Sequence, residues 1–450
     1  MLGIARPSLW RHGDFRKLWT AATVSVLGSQ VTLIAVPYIA LTMLHASVFQ
    51  VSLLAAVEML PFLLLTLPAG AWLDRVRRRP VLIAADFGRG AVLLSIPVAY
   101  VAGVMSIWQL FIVAFVTGTF SAFFDVADQS FLPALIDRED LVDGNARLQV
   151  SYSVAQIGGP TLAGNLIQIV AAPLAIVADA LSFFISGGLI GLIRKREDKP
   201  DRMLDAAGRP TSLRAEISSG LRYVLGNRYL RSIAGCTGTS NLFGAALFGV
   251  FPVLIWRELN LPPAFYGTVI GLASFGFLAG AALSSRLPRR LGLGPTIVVS
   301  AALSSPAFLL LTLTPARLEW AAVTLFAGWS VLGFTQVVYN VAQISLRQSI
   351  TPLAMQSRMN ATMRFIVWGT IPIGSLMGGL LATLLPVRVA LVIVALGSFA
   401  SVPWVLFSPL RSLREMPEEE GADGAGGADA AERIDGADRT GTAEQLPEPA

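Results

Sequence analysis

The sequence predicts an all-α polytopic membrane protein with twelve transmembrane helices arranged in two six-helix halves. Three observations predict it. The chain of 450 residues is 54% hydrophobic and only 14% charged, with a mean hydropathy of +0.64, whereas soluble domains carry roughly a quarter charged residues. Twelve apolar runs reach the ~20 residues a span needs. Positive charge falls in alternate connections between them.

In chain order the runs are 18–43, 48–69, 80–102, 106–127, 148–170, 173–193, 230–254, 265–287, 294–314, 319–341, 362–385 and 388–408. The connections after the first, third and fifth are short and hold no Lys or Arg. Those after the second, fourth, sixth, eighth and tenth carry Arg75 to Arg79, Arg138 with Arg147, Arg194 to Arg222, Arg286 to Arg290, and Arg347 with Arg358. The outer connections of the second half hold only Arg257, Arg317 and Arg388. That alternation predicts a multi-pass protein of the cell membrane with both termini cytoplasmic. A preference for Arg over Lys, with richness in Ala, Gly and Pro, suggests a GC-rich bacterial source.

The domains follow from these runs. A cytoplasmic N-terminus occupies 1–17, where Arg6, Arg11, Arg16 and Lys17 precede an apolar stretch too long for a cleavable signal peptide. The first half spans 18–193 and the second 230–410. Between them, 194–229 is a charged cytoplasmic linker. Leu213, Ile217, Leu221, Val224 and Leu225 give its second part the spacing of an amphipathic helix along the inner face. Residues 411–450 form a cytoplasmic tail; past Arg414 it turns Gly/Ala/Glu/Asp-rich and reads as disordered and acidic.

Composition also narrows the chemistry. A single cysteine, Cys236, allows no intramolecular disulfide, and His12 and His45 lie too far apart for a metal site or a catalytic triad. No phosphate-binding loop is present, so ATP is not the direct energy source. The net charge of +5 comes from arginines in alternate loops, which reads as membrane-face charge rather than nucleic-acid binding. The expected partners are the bilayer and a small-molecule substrate, with no nucleic acid, no metal or cofactor, and a monomeric state. An enzyme would need a catalytic constellation that these residues do not supply.

The stretch Gly70-Ala-Trp-Leu-Asp74-Arg75-Val-Arg77-Arg78-Arg79 joins the second and third runs. A basic flank that only sets orientation accounts for its arginines but needs neither Gly70 nor Asp74. The pattern G-x-x-x-D-R-x-x-R-R between two spans resembles the signature of the major facilitator superfamily, a large group of twelve-helix secondary transporters. After the eighth run, Arg286-Leu-Pro-Arg289-Arg290 repeats the loop with Ser285 in place of the acid.

A second motif lies in the fifth run, at Gly158-Gly159-Pro160-Thr-Leu-Ala-Gly164. Small residues at 159, 163 and 164 admit a neighbouring helix, and Pro160 can kink its own. Plain helix packing is the simpler account of any one glycine. As a whole the stretch resembles the G-x-x-x-G-P-x-x-G motif of family exporters, tied there to antiport, with its first glycine replaced. Aligning Asn145-Ala146 with Asn360-Ala361 puts Gly159 on Gly374, Ala163 on Gly378 and Gly164 on Gly379 without a gap. Pro372 stands near the second set. Two repeated halves are the mark of alternating access about a midplane site.

Ionisable residues inside spans are expensive and therefore functional candidates. Glu58 stands about mid-depth in the second run and is the best single candidate for a proton carrier, because the second half has no mid-span acid. Its structural alternative is a glutamate that only fastens helices. Asp86 and Arg89 share a helix face three residues apart and pair locally, unless Arg89 meets Glu58 or an anionic substrate instead. Asp179, close to the outer face, reads as a structural hydrogen-bonding group. Asp125 and Asp128 end the fourth run on the cytoplasmic side. The family resemblance implies a gating network of Asp74 and Arg78, next to Arg75, with Asp125 or Asp128. Arg358 or Arg364, opening the eleventh run, is the implied partner from the other half.

Gln30, Gln156, Asn165, Asn241, Gln336, Tyr339, Asn340 and Trp368 lie at mid-span depth and are candidates to line a cavity. Among Phe, Leu, Met and Gly they suit a bulky amphipathic solute with few charges. Over residues 10–410 the chain looks like the macrolide-efflux and enterobactin-exporter branch of the superfamily. The resemblance runs through Pro61 to Arg75, Phe131-Leu-Pro133 before Gly144-Asn-Ala146, and Pro372 to Gly379. It implies proton-coupled efflux of hydrophobic or amphipathic compounds, as in multidrug resistance, powered by the proton gradient. A dedicated siderophore or natural-product exporter, or a lipid or lysolipid flippase of the same fold, are the alternatives.

Overall fold

The computed structural model describes residues 9–73, 76–137, 140–195 and 213–414. Asp74 and Arg75 of the loop motif lie outside these residues, as do Arg138, the linker segment 196–212 and the acidic tail 415–450.

The chain is all helical. Six long helices come first: α1 (Gly13–Thr42), α2 (Val48–Leu73), α3 (Arg78–Val101), α4 (Ile107–Leu135), α5 (Leu141–Val170) and α6 (Ala172–Gly191). A shorter α7 (Leu213–Gly226) precedes α8 (Arg228–Val253), which runs on into a π-helical turn, Leu254–Glu258. Then follow α9 (Pro263–Ala273) and α10 (Phe275–Leu283), which together make one span, and a short α11 (Arg286–Leu291). The remainder is α12 (Leu293–Thr312), α13 (Leu318–Ser349), α14 (Leu353–Leu384), α15 (Val387–Ser398) and α16 (Val402–Leu406). Among the described residues, eleven stretches are long and apolar enough to cross a membrane. At 30 residues α5 is long enough to be the twelfth; Gln156, Asn165 and Gln168, with its glycines, dilute its hydropathy.

Local chemistry sets the helix ends. His12 caps α1 by accepting from the Phe15 N–H at 3.2 Å. Asp14 in the first turn suits the positive end of the helix. It also accepts from the backbone N–H groups of Arg194 and Lys195 at 3.1 and 3.0 Å, which ties the start of α1 to the chain leaving α6. Ser106 and Asn227 cap α4 and α8 in the same way.

Several helices outrun their apolar stretch, which corrects the expected boundaries. Asp125 and Asp128 end the apolar span of α4, as expected, while the helix itself continues to Leu135. Arg147 lies in α5, Arg347 in α13 and Arg358 in α14 rather than in connections; Arg358 also opens the apolar span of α14, as expected, with Arg364 further in. Hydropathy marks only the hydrocarbon core, whereas backbone hydrogen bonding carries a helix on into the headgroup region.

Packing repeats between the halves. In the first, α1 packs on α5 and α6, α2 on α4, and α3 on α4 and α6. In the second, α8 packs on α14 and α15, α9 and α10 on α13, and α12 on α13 and α15. The halves meet where α5 faces α9 and α2 faces α14. At the arginine-bearing face each half has its own apolar core, one around Phe15, Leu82 and Phe131, the other around Leu230, Ile297 and Met363. At the opposite face a single core joins them, from Ile34 and Ile176 to Phe251 and Leu391. The halves are thus sealed together on one side and parted on the other. α7 belongs with the parted side: Val224 is fully buried in the second half's core, and the Tyr223 hydroxyl donates to the Ile350 carbonyl at 3.1 Å.

Candidate substrate cavity

A cavity of about 790 Å³ lies between the halves. α1, α2 and α5 wall it with Gln30, Leu54, Glu58, Met59 and Gln156; α8, α12 and α13 supply Asn241, Phe248, Phe308, Trp329, Gln336, Tyr339 and Asn340. Glu58 is exposed toward this space and is the one charged side chain among the described lining residues. Its side chain makes no ion pair or hydrogen bond among the described residues. Its backbone is held from behind by Gly118 of α4, where an added Cβ would stand 3.2 Å from the Glu58 carbonyl carbon.

Other polar groups on the wall divide by whether they are already satisfied. Asn241 donates to the Val367 carbonyl at 3.2 Å, and Tyr339 shares a 2.7 Å hydrogen bond with Thr237. Asn340 accepts from Gln343 at 3.5 Å, and Gln343 accepts from Arg347 at 3.2 Å. The side chains of Gln30, Gln156 and Gln336 make no hydrogen bond among the described residues, which leaves three amides turned to the cavity. The opposite wall is aromatic: Phe248 stacks on Trp329 with centroids 5.1 Å apart and planes at 18°, and Phe308 meets Phe248 edge-on at 5.9 Å. Sequence reading passed over this cluster, since its members sit on three helices with no shared spacing; only Phe248 and Phe251, three apart, gave a hint.

Two cavity candidates fall elsewhere. Trp368 packs edge-on against Phe62 at 5.9 Å, with the Arg364 guanidinium 5.3 Å from its ring, and does not line the cavity. Asn165 is exposed and donates to its own helix at the Thr161 carbonyl at 2.8 Å.

Asp86 and Arg89 form a buried ion pair, 0% and 6% exposed. The guanidinium lies between the rings of Phe124 and Phe183, at 4.3 and 4.2 Å. Neither residue reaches the cavity, so Arg89 does not meet Glu58. Asp125 is exposed and Asp128 half-buried. Asp179 is buried and accepts from Thr32 and Ser182.

Of the loop motif, Gly70 lies in the last turn of α2 and Arg78 opens α3. Arg79 donates to the carbonyls of Ile190, at 3.2 Å, and Gly191. The glycines of α5 and α14 divide alike. Gly159 meets Gln30 of α1 and Gly374 meets the Leu242 carbonyl of α8, both inside their own half, as does Gly378 at Ala246. Gly164 meets the Pro263 carbonyl and Gly379 meets Ser52, both across the interface. Gly158 faces open space. Pro160 lines the cavity beside them. Among the described residues no cluster of His, Cys, Asp and Glu could hold a metal ion.

Comparison with known proteins agrees with this architecture. The sequence pattern of a family described as transmembrane secretion effectors matches residues 7–423. The multidrug efflux pump Tap of Mycobacterium tuberculosis is 26% identical over 373 residues, 80% of this chain and 84% of that protein. Tap of Mycolicibacterium fortuitum is 26% identical over 392 residues, 83% and 90% of the two chains. A bacterial homologue of the iron transporter ferroportin, solved in an inward-facing state, superposes with a TM-score of 0.68 at 18% identity, covering 89% of this chain and 100% of that one. The nucleoside transporter NupG gives a TM-score of 0.69 at 12% identity, with 88% and 99% covered.

Proposed function

The chain belongs to the transmembrane secretion effector family of major facilitator transporters, and from that premise we propose that it exports hydrophobic or amphipathic small molecules in exchange for protons. As a member of that family it is a secondary transporter, not an enzyme, and binds a small-molecule substrate within the membrane.

The observation that carries the finer reading is the wall of the cavity. Glu58 is its one charged side chain among the described residues, set among aromatic, aliphatic and amide groups. Such a wall suits a bulky solute with an apolar body and at most one positive charge. The Tap relatives, named as multidrug efflux pumps, support the same substrate class. With the arginine-bearing face taken as cytoplasmic, the parted cores at that face describe a cavity that loads from inside.

In the cycle, ionised Glu58 receives the substrate from the cytoplasm. The halves then rock about the cavity, a proton from outside neutralises the carboxylate, and the substrate leaves. The protonated site returns and releases its proton inward. The membrane potential contributes about 2.3 kcal/mol per charge per 100 mV.

The test is substrate-stimulated proton flux in proteoliposomes, with wild type and Glu58→Gln, across amphipathic cations, macrolides and siderophores. Flux with amphipathic compounds that vanishes in the variant is the expected result. Flux that survives the substitution removes Glu58 from coupling, and no flux with any compound overturns antiport.

A further inference from the structure

At the face opposite the basic loops, a charged contact among the described residues crosses between the halves from the π-helical turn Leu254–Glu258 at the end of α8. Such turns occur mostly where function bends a helix out of its regular ladder. Here three consecutive side chains go to four partners. Trp256, 6% exposed, sets its ring edge-on to Tyr38 of α1 at 5.4 Å and to Tyr266 of α9 at 5.6 Å. Arg257 reaches into the first half and donates to the carbonyl of Ala46 at 2.6 Å. Glu258 pairs with Arg388 of α15 at 3.6 Å, and Arg388 also donates to the Thr314 carbonyl at 2.9 Å. The turn is therefore mounted on the second half and grips the first.

The socket that Arg257 grips is itself fixed. Ala46 is 2% exposed, follows His45 at φ 48°, and donates its own N–H to the Ala40 carbonyl at 2.8 Å. The connection between α1 and α2 is thus folded back on the helix end and presents one carbonyl to the guanidinium. A charge-assisted bond of this kind is stronger than a neutral one, yet it is a single bond, which a transport cycle can break.

Trp256 links this contact to the cavity. It contributes to the cavity wall, and its buried indole N–H has no hydrogen-bond partner among the described residues. An unpaired buried donor is a cost borne by the closed arrangement, and an occupant that offers it an acceptor or a ring removes that cost by drawing the indole inward.

We propose that the π turn Leu254–Glu258 is the latch of the gate on this face: Arg257 on the Ala46 carbonyl holds the halves together, and Trp256 relays an aromatic occupant of the cavity to that bond. The relay rests on the export reading above; the latch does not. Because 256 and 257 are adjacent on one turn, displacement of the indole shifts the backbone that carries the guanidinium. Release of the Ala46 carbonyl leaves apolar packing to part, while Glu258 and Arg388 keep the turn with its own half.

The experiment uses a single reporter thiol, Ser240→Cys on the cavity wall, in a Cys236→Ala background. The protein is placed in proteoliposomes of determined orientation. Labelling by a membrane-impermeant maleimide is then timed from the face opposite the arginines. Arg257→Gln, which loses the positive charge and much of the reach, is expected to raise the labelling rate about tenfold, and Arg257→Lys, which keeps a charged donor of similar length, to restore the slow rate. Tetraphenylphosphonium, with binding verified by calorimetry, is expected to speed labelling of the otherwise unchanged reporter protein but not of Trp256→Ala. Trp256→Phe, which keeps ring contacts and loses the N–H, is run beside it so that a folding defect in one variant does not decide the outcome. An unchanged rate in Arg257→Gln overturns the latch. Acceleration that persists in both Trp256 variants overturns the relay. Tetraphenylphosphonium that fails to bind counts against the export reading and leaves the Arg257 comparison standing.

Discussion

Gly164 of α5 lies directly against Pro263 at the start of α9, so close that an added methyl would stand 3.0 Å from the Pro263 carbonyl carbon. Gly379 of α14, its counterpart by sequence alignment, meets Ser52 of α2 in the same cross-interface role. A close glycine contact thus occurs on each side of the cavity, against backbone at Pro263 and against the side chain at Ser52, and both help to seal the face away from the basic loops.

Gly164→Leu is expected to keep that face from closing, because the contact on the other side is backbone and cannot give way. Substrate efflux should fall at least about tenfold with the protein still folded. Gly158→Ala, which adds its methyl to open space, should stay within about twofold of wild type. Efflux assays on the two variants side by side check the contrast.

Breaking the Asp86–Arg89 pair should be costly. Arg89→Ala leaves a fully buried carboxylate without its cation and removes the guanidinium from between Phe124 and Phe183, an expected loss of about 3 kcal/mol. The double variant Asp86→Asn with Arg89→Gln should lose less than the sum of the two single changes. Thermal unfolding in detergent, read as a double-mutant cycle, measures both.

Glu58→Gln should separate substrates by charge. Affinity for a monovalent amphipathic cation is expected to drop about tenfold, or about 1.4 kcal/mol, while an uncharged macrolide binds within about twofold of wild type. Raising the external pH removes the proton source in the proposed cycle. It should slow efflux by wild type and leave any residual efflux by the variant unchanged. Equilibrium binding and pH-jump efflux read the two effects.

Trp329→Ala should weaken aromatic ligands in particular. Its stack with Phe248 forms the aromatic wall, and loss of one such ring contact is worth about 0.5–1.5 kcal/mol. Tetraphenylphosphonium binding is therefore expected to weaken about two- to tenfold, with tetrabutylammonium little changed. Calorimetry with the paired ligands measures it.

The spans were legible in the sequence because the constraint behind them is local. In lipid each segment must satisfy its own backbone, so an apolar run of sufficient length is a helix whatever its neighbours. The Asp86–Arg89 pair was legible for the same reason, as two residues one turn apart on one helix. Helix ends were less so: α4 and α14 continue past their apolar runs and draw Asp125, Asp128, Arg358 and Arg364 into the helix body.

The cavity shows where local reasoning stops. Gln30, Gln156, Asn241, Gln336, Tyr339 and Asn340 surround it, but Trp368, equally deep by sequence, turns instead to Phe62 and Arg364. Depth is set by position along a helix and can be counted; facing is set by rotation about the axis, which neighbouring helices fix.

By itself, the sequence determined that this protein is a repeated set of membrane-spanning helices with one acid at mid-depth in its second span, since hydropathy and charge placement act along the chain. Only the tertiary structure decided that Glu58 opens on a cavity, that Phe248 and Trp329 stack on its wall, and that Arg257 spans the halves to the Ala46 carbonyl. Each of these joins residues from helices far apart in the chain, and packing geometry alone brings them together.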